Sequence, residues 1–147
     1  VALQCFASGL AAGVGSLFYL AFNGGYTGAI GGYLTQRGMG GTFYPFVATH
    51  SSFELTAIVL AGAAGLRLGH AWLAPRRRTR SQALVKAARD VLPIVYGVLA
   101  MLLIAAAIEA FWSSSSLVPS TVKYSVAALC WTAVLGWLWL QGRDRAG

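Results

Sequence analysis

The sequence predicts an all-α, polytopic helical membrane protein, and three observations carry that expectation. Of the 147 residues, 57% are hydrophobic and 10% charged, whereas soluble domains carry about 25% charged residues. Mean hydropathy is +0.65. The apolar residues fall in long runs joined by short polar connectors, without the alternation at period two that marks a membrane barrel. Together these predict a single helical transmembrane domain over residues 1–147, with about four to five membrane segments and glycine-rich packing faces. The chain begins at Val1, and its first apolar run has neither a basic n-region nor a small-residue cleavage site. The expectation is therefore the C-terminal part of a longer chain, with no signal peptide.

Residues 5–22 form the first expected segment, with Gly9, Gly13 and Gly15 as a small-residue face. The run that follows is short for a span. Between Asn23 and Leu34 two routes are open: a helix broken at Asn23-Gly24-Gly25, or a re-entrant helix covered by its neighbours. Gly24, Gly28 and Gly32, at spacing four, are its expected helix-packing face. Residues 43–73 form the third segment, roughly 45 Å long and so longer than the hydrocarbon core. Gly65 and Gly69 give it a second packing face. Residues 81–90 read as a short interfacial helix, with Leu84, Val85 and Ala88 on its apolar side. The fourth segment covers residues 91–112 with Pro93 in its first turn, where proline is tolerated. The fifth covers residues 121–140, with Trp137 and Trp139 suited to the interface.

The net charge is +7 and the pI about 10.0. No interleaving of aromatic and basic residues makes a stacking platform, so no nucleic-acid partner is expected. The cations instead cluster by side of the membrane. Arg76, Arg77, Arg78, Arg80, Lys86 and Arg89 follow the third segment, and Arg143 and Arg145 end the chain. The remaining connectors hold only Arg37 and Lys123. The positive-inside rule places both basic regions, and so the C-terminus, in the cytoplasm. Two segments lie between them, so the parity agrees. Arg76, Arg77, Arg78 and Arg80 mainly fix topology, with anionic lipid as a second role.

Four acidic residues occur, and two of them, Glu54 and Glu109, sit inside apolar helices. An ionisable residue at membrane depth is costly and marks a candidate site. His50 and Glu54, four apart, share a helix face. The expected topology puts Glu109 and Asn23 at a similar depth in the outer leaflet, so His50, Glu54, Glu109 and Asn23 form a candidate polar cluster. Three roles compete: a structural cluster holding helices in register, a proton or cation site in a transport path, and a metal site of one histidine and two carboxylates. The metal role lacks the second histidine of H-E-x-x-H, so no metal and no cofactor are assigned. Cys5 and Cys130 read as packing residues and His70 as interfacial. No nucleophile with a base beside it is visible, and no enzymatic activity is expected.

These residues resemble a family. Phe22-Asn23-Gly24 with Gly28-Ala29-Ile30-Gly31, His50-x-x-Phe53-Glu54-Leu55, Gly65-Leu66-x-Leu68-Gly69, and Ile108-Glu109-Ala110-Phe111 occur in an order similar to that of the stage II sporulation protein M family of bacterial membrane proteins. The resemblance covers residues 9–112. Ser51 stands where that family usually has glycine, Thr56 where it often has proline, and Ser113-Ser114 where it has Thr-Pro. The resemblance implies a bacterial inner-membrane protein, multi-pass, working in complexes with other envelope proteins. The sporulation member is similar to a scaffold that brings peptidoglycan-degrading enzymes to a septum. A non-enzymatic scaffold or assembly component, a homo-oligomer or bound to partner membrane proteins, is therefore the leading expectation. A small transporter or channel using the His/Glu cluster is the alternative, and an intramembrane metal-dependent hydrolase the third.

Overall fold

The computed structural model describes residues 1–9 and 13–143. The chain is 87% helical, without strands among the described residues. Its elements are α1 (Ala2–Ser8), α2 (Val14–Gln36), α3 (Gly40–Leu73), α4 (Arg80–Ala107), a π-helix (Ile108–Ser113) and α5 (Ser120–Arg143). Among the described residues three helical stretches are long and apolar enough to cross a membrane: Gly40–Leu73, Arg80–Ser113 and Ser120–Gln141. At 23 residues, α2 spans about 35 Å, but it is not among these three. The protein is an all-α membrane protein.

Three segment boundaries differ from the sequence reading. The first expected segment is not one helix. It ends at Ser8 and restarts at Val14, and Gly13 has φ +79°, a left-handed conformation that a continuing α-helix does not admit. Residues 10–12, inside that segment, lie outside the described residues, as do 144–147, which include Asp144 and Arg145 of the basic tail. The second difference is that no break occurs at Asn23-Gly24-Gly25, because α2 runs through them unbroken. Phe18, Phe22 and Tyr26, spaced four apart, stack with ring centroids 6.0 Å apart along that stretch. Such i, i+4 contacts support helix where the glycines alone would not. Thirdly, the expected interfacial helix and the fourth segment are one element, so Pro93 lies inside α4 and not in a first turn. The start is fixed at Thr79 instead. The Gln82 N–H donates to Thr79 Oγ1 at 3.2 Å, and the Thr79 N–H donates to Gln82 Oε1 at 3.3 Å, a reciprocal capping box.

Two compact units divide the chain, Val1–Ile30 with Thr56–Met101, and Gly31–Leu55 with Leu102–Gly147. The first unit packs on small residues. Ala64, Leu68, Ala87 and Val91 form its apolar core, with Phe6, Ala71, Leu84 and Ile94 against it. Gly65 lets α1 come onto α3: a Cβ there would lie 2.7 Å from Phe6 O and 2.8 Å from Cys5 O. The Ser16 hydroxyl donates to Cys5 O at 2.5 Å and joins α2 to the same crossing. In the second unit, the turn from α2 to α3 closes on Gly38 (φ +75°). There the Met39 N–H donates to Leu34 O and the Gly38 N–H to Thr35 O, the Schellman arrangement that ends helices on a left-handed glycine. Within this unit the buried residues include a polar set, Thr49, His50, Ser51, Ser52, Ser113 and Lys123, beside Ala105, Ala127 and Val134.

Candidate functional site

The N-terminal half of α3 carries the polar residues of the second unit. Ser51 and Ser52 turn their hydroxyls onto their own helix, donating to Ala48 O and Thr49 O at 3.0 Å. That satisfies donors that would be costly to bury. His50 is 5% exposed, with the Phe46 ring edge-on at 5.4 Å. Its Nδ1 lies 3.2 Å from Ser113 Oγ, the proton lying on one or the other according to the imidazole tautomer. Its Nε2 lies 3.9 Å from Glu54 Oε2, beyond hydrogen-bond range. The Glu54 side chain is 47% exposed, so solvent or headgroups screen this pair and it contributes little.

Ser113 owes its position to the π-helix. From Ile108 to Ser113 the backbone bonds i to i+5 instead of i to i+4, so side chains advance by less than 100° per residue. On that changed rotation Ser113 is buried at 2% exposure. Glu109 is exposed and makes no ion pair or side-chain hydrogen bond among the described residues. Trp112 Nε1 is buried there without a hydrogen-bond partner.

The remaining member is Lys123, which the sequence reading treated only as a connector cation. It is 8% exposed, and its ammonium donates to Ser113 O at 2.8 Å and Ser115 O at 2.9 Å. A cation in the first turn of α5 is unfavourable toward that helix's own dipole. It is favourable at the C-terminal end of the π-helix, where carbonyls lack partners. Thr49 Oγ1 donates to Lys123 O at 3.2 Å and closes a circuit: α3 to the π-helix through His50, the π-helix to α5 through Lys123, and α5 back to α3 through Thr49. A cleft of about 630 Å³ adjoins it, lined by Met39, Phe43, Phe46, Ser114 and Lys123 among others. In the sequence Lys123 stands four residues after Pro119 and seven after the end of the serine run, with no local pattern that marks its role.

The structure thus brings His50 and Glu54 together and adds Ser113, Lys123 and Thr49. Glu109 stays outside the circuit, and Asn23 belongs to the first unit, half-buried on α2. Among the described residues no three His, Cys, Asp or Glu side chains gather as a metal site. Gly24, Gly28 and Gly32 face open space, whereas a Cβ on neighbouring Gly31 would meet the Phe43 ring at 3.3 Å. Gly65 and Gly69 are buried. Arg76, Arg77, Arg78 and Arg80 are exposed, with the Arg80 guanidinium 5.7 Å from the Trp72 ring centroid. Chemically, the circuit is a set of hydrogen bonds that link α3, the π-helix and α5.

A family model described as stage II sporulation protein M matches residues 1–114. The chain belongs to the stage II sporulation protein M family. No curated protein and no solved structure gives a significant match. The family match takes in α1 to the π-helix, including His50, Glu54, Glu109 and Ser113. Lys123, which completes the circuit in this family member, lies beyond it.

Proposed function

We propose that the protein is a non-enzymatic scaffold or assembly component of a bacterial inner-membrane complex. The observation that carries this reading is the use made of its buried polar groups. His50, Ser113, Lys123 and Thr49 bond one another or backbone carbonyls of neighbouring elements, which ties α3, the π-helix and α5 in register. The most apolar 18-residue windows of the α4–π-helix stretch and of α5 are only 17% buried. Their surfaces are open to lipid and to other membrane helices, which suits a component that works by contact. Family membership supports the same reading.

The test separates it from transport. Reconstituted in liposomes with a pH-sensitive dye inside, the protein is expected to leave proton leak at the level of empty liposomes. His50→Gln and Glu54→Gln are expected not to change it. A flux above background that His50→Gln abolishes would establish a transporter and overturn the scaffold reading.

The proposed topology puts the turn between α3 and α4 and the C-terminus in the cytoplasm, on the asymmetry of Lys and Arg. A cysteine at position 115 is expected to react with an impermeant maleimide from outside intact cells. One at position 81 is expected to react only after permeabilisation. Labelling of both from the same side would end this topology.

A further inference from the structure

The basic turn of the first unit forms a cleft and not merely a charged surface. Where α3 ends and α4 begins, a cavity of about 710 Å³ is lined by Arg67, Arg76, Arg77, Arg78, Lys86 and His70, with Asp90 its one carboxylate. Asp90 is already engaged, accepting from Arg67 at 3.4 Å and from Lys86 at 3.3 Å. The remaining guanidinium groups have no anion within the cleft, and like charges so gathered repel unless a counter-charge lies among them. The floor differs from the walls: Ala71, Ala83 and Ala87 present small apolar side chains, and Ala71 and Ala87 pack with the core of Ala64, Leu68 and Val91. Arg76 has φ +54°, a left-handed conformation disfavoured for a residue with a Cβ. It is held at the rim of this cleft. Because α3 and α4 are both membrane-crossing in length and hydropathy, the cleft lies at the height of lipid headgroups. Trp72 beneath Arg80 fits that depth, where tryptophan is enriched.

From this geometry we infer that the cleft is a phosphate site, and that it takes the headgroup of an anionic phospholipid. Arginine forks bind phosphate oxygens in pairs, and the alanine floor leaves room for the glycerol and first methylenes. A basic pocket between helices at the cytoplasmic surface is a known type of site for such lipids.

The test is thermal unfolding of the purified protein in neutral detergent, with added phosphatidylglycerol, phosphatidylcholine or inorganic phosphate. Phosphatidylglycerol is expected to raise Tm by about 5 °C or more at saturation, and phosphatidylcholine not to. Arg76→Gln/Arg78→Gln is expected to lose that shift and to co-purify with less anionic lipid by mass spectrometry. Arg89→Gln, outside the cleft, is expected to keep it. An equal shift with phosphatidylcholine, or an undiminished one in the double variant, would overturn the site. Equal loss in Arg89→Gln would show charge attraction without a site and would also overturn it. A full shift from millimolar inorganic phosphate alone would keep the phosphate site and overturn the lipid as its occupant.

Discussion

Gly65→Ala is expected to lower stability by about 3 kcal/mol, and Gly65→Leu to prevent accumulation of folded protein. The added Cβ would stand 2.7 Å from Phe6 O and from Ser16 Oγ and 2.8 Å from Cys5 O. Two of these neighbours are backbone, so α1 as a whole must move away from α3. Moving it also breaks the Ser16 to Cys5 hydrogen bond, which is fully buried. Overpacking alone costs about 1–3 kcal/mol, and the lost bond about 1 more. Gly28→Ala is the matched control. Nothing lies within 4 Å of a Cβ at Gly28, so alanine there gains helix propensity, worth up to about 1 kcal/mol. Thermal unfolding in detergent distinguishes the two. A Gly65→Ala protein that melts with the wild type would mean that α1 does not pack on α3 at this point.

Lys123→Met is expected to destabilise the second unit by roughly 3 kcal/mol. The variant keeps most of the side-chain volume and removes only the ammonium. Ser113 O and Ser115 O then lose a charged donor, and such hydrogen bonds contribute about 1.5–3 kcal/mol each. Part of that is recovered as the cost of burying a charge disappears. Ser113 should also become more mobile, so the His50 ring signals in an NMR spectrum should broaden or shift although His50 is unaltered. A Lys123→Met protein with unchanged melting and unchanged His50 signals would remove the circuit as a determinant of helix register.

The helical membrane class was legible because it rests on composition and run length, which do not depend on packing. The crossing at Gly65 was legible for a similar reason: small residues at spacing four signal close approach whatever their partner is. At Gly24, Gly28 and Gly32 the same spacing meets no neighbour among the described residues. A row of glycines states that a neighbour could come close, not that one does, and in α2 the contact falls on Gly31 instead. His50 beside Glu54 followed from helical spacing alone. Glu109 was included on its expected depth alone, and depth does not fix which face of its helix a residue occupies; it lies exposed at the start of the π-helix. Lys123 was hidden because its role depends on carbonyls eight and ten residues earlier, which no local pattern pairs with it.

The π-helix has a consequence for how this region tolerates insertion and deletion. Closing each backbone ring over five residues instead of four accommodates one residue more per turn than the α-helix before it. Deleting a single residue between Ile108 and Trp112 would let α4 continue in α-geometry to its end. The chain would not be interrupted, and the side chains after the deletion would keep nearly the same angular position, because six residues at the smaller π-helical rotation turn about as far as five at the α-helical one. The buried serine hydroxyl would stay beside His50, and the two carbonyls beside the lysine that holds them. The same deletion in the regular α-helix before Ile108 has no such slack and would rotate everything after it by about 100°. Alignments of related chains should therefore place single-residue gaps within the π-helix and not within the α-helix before it.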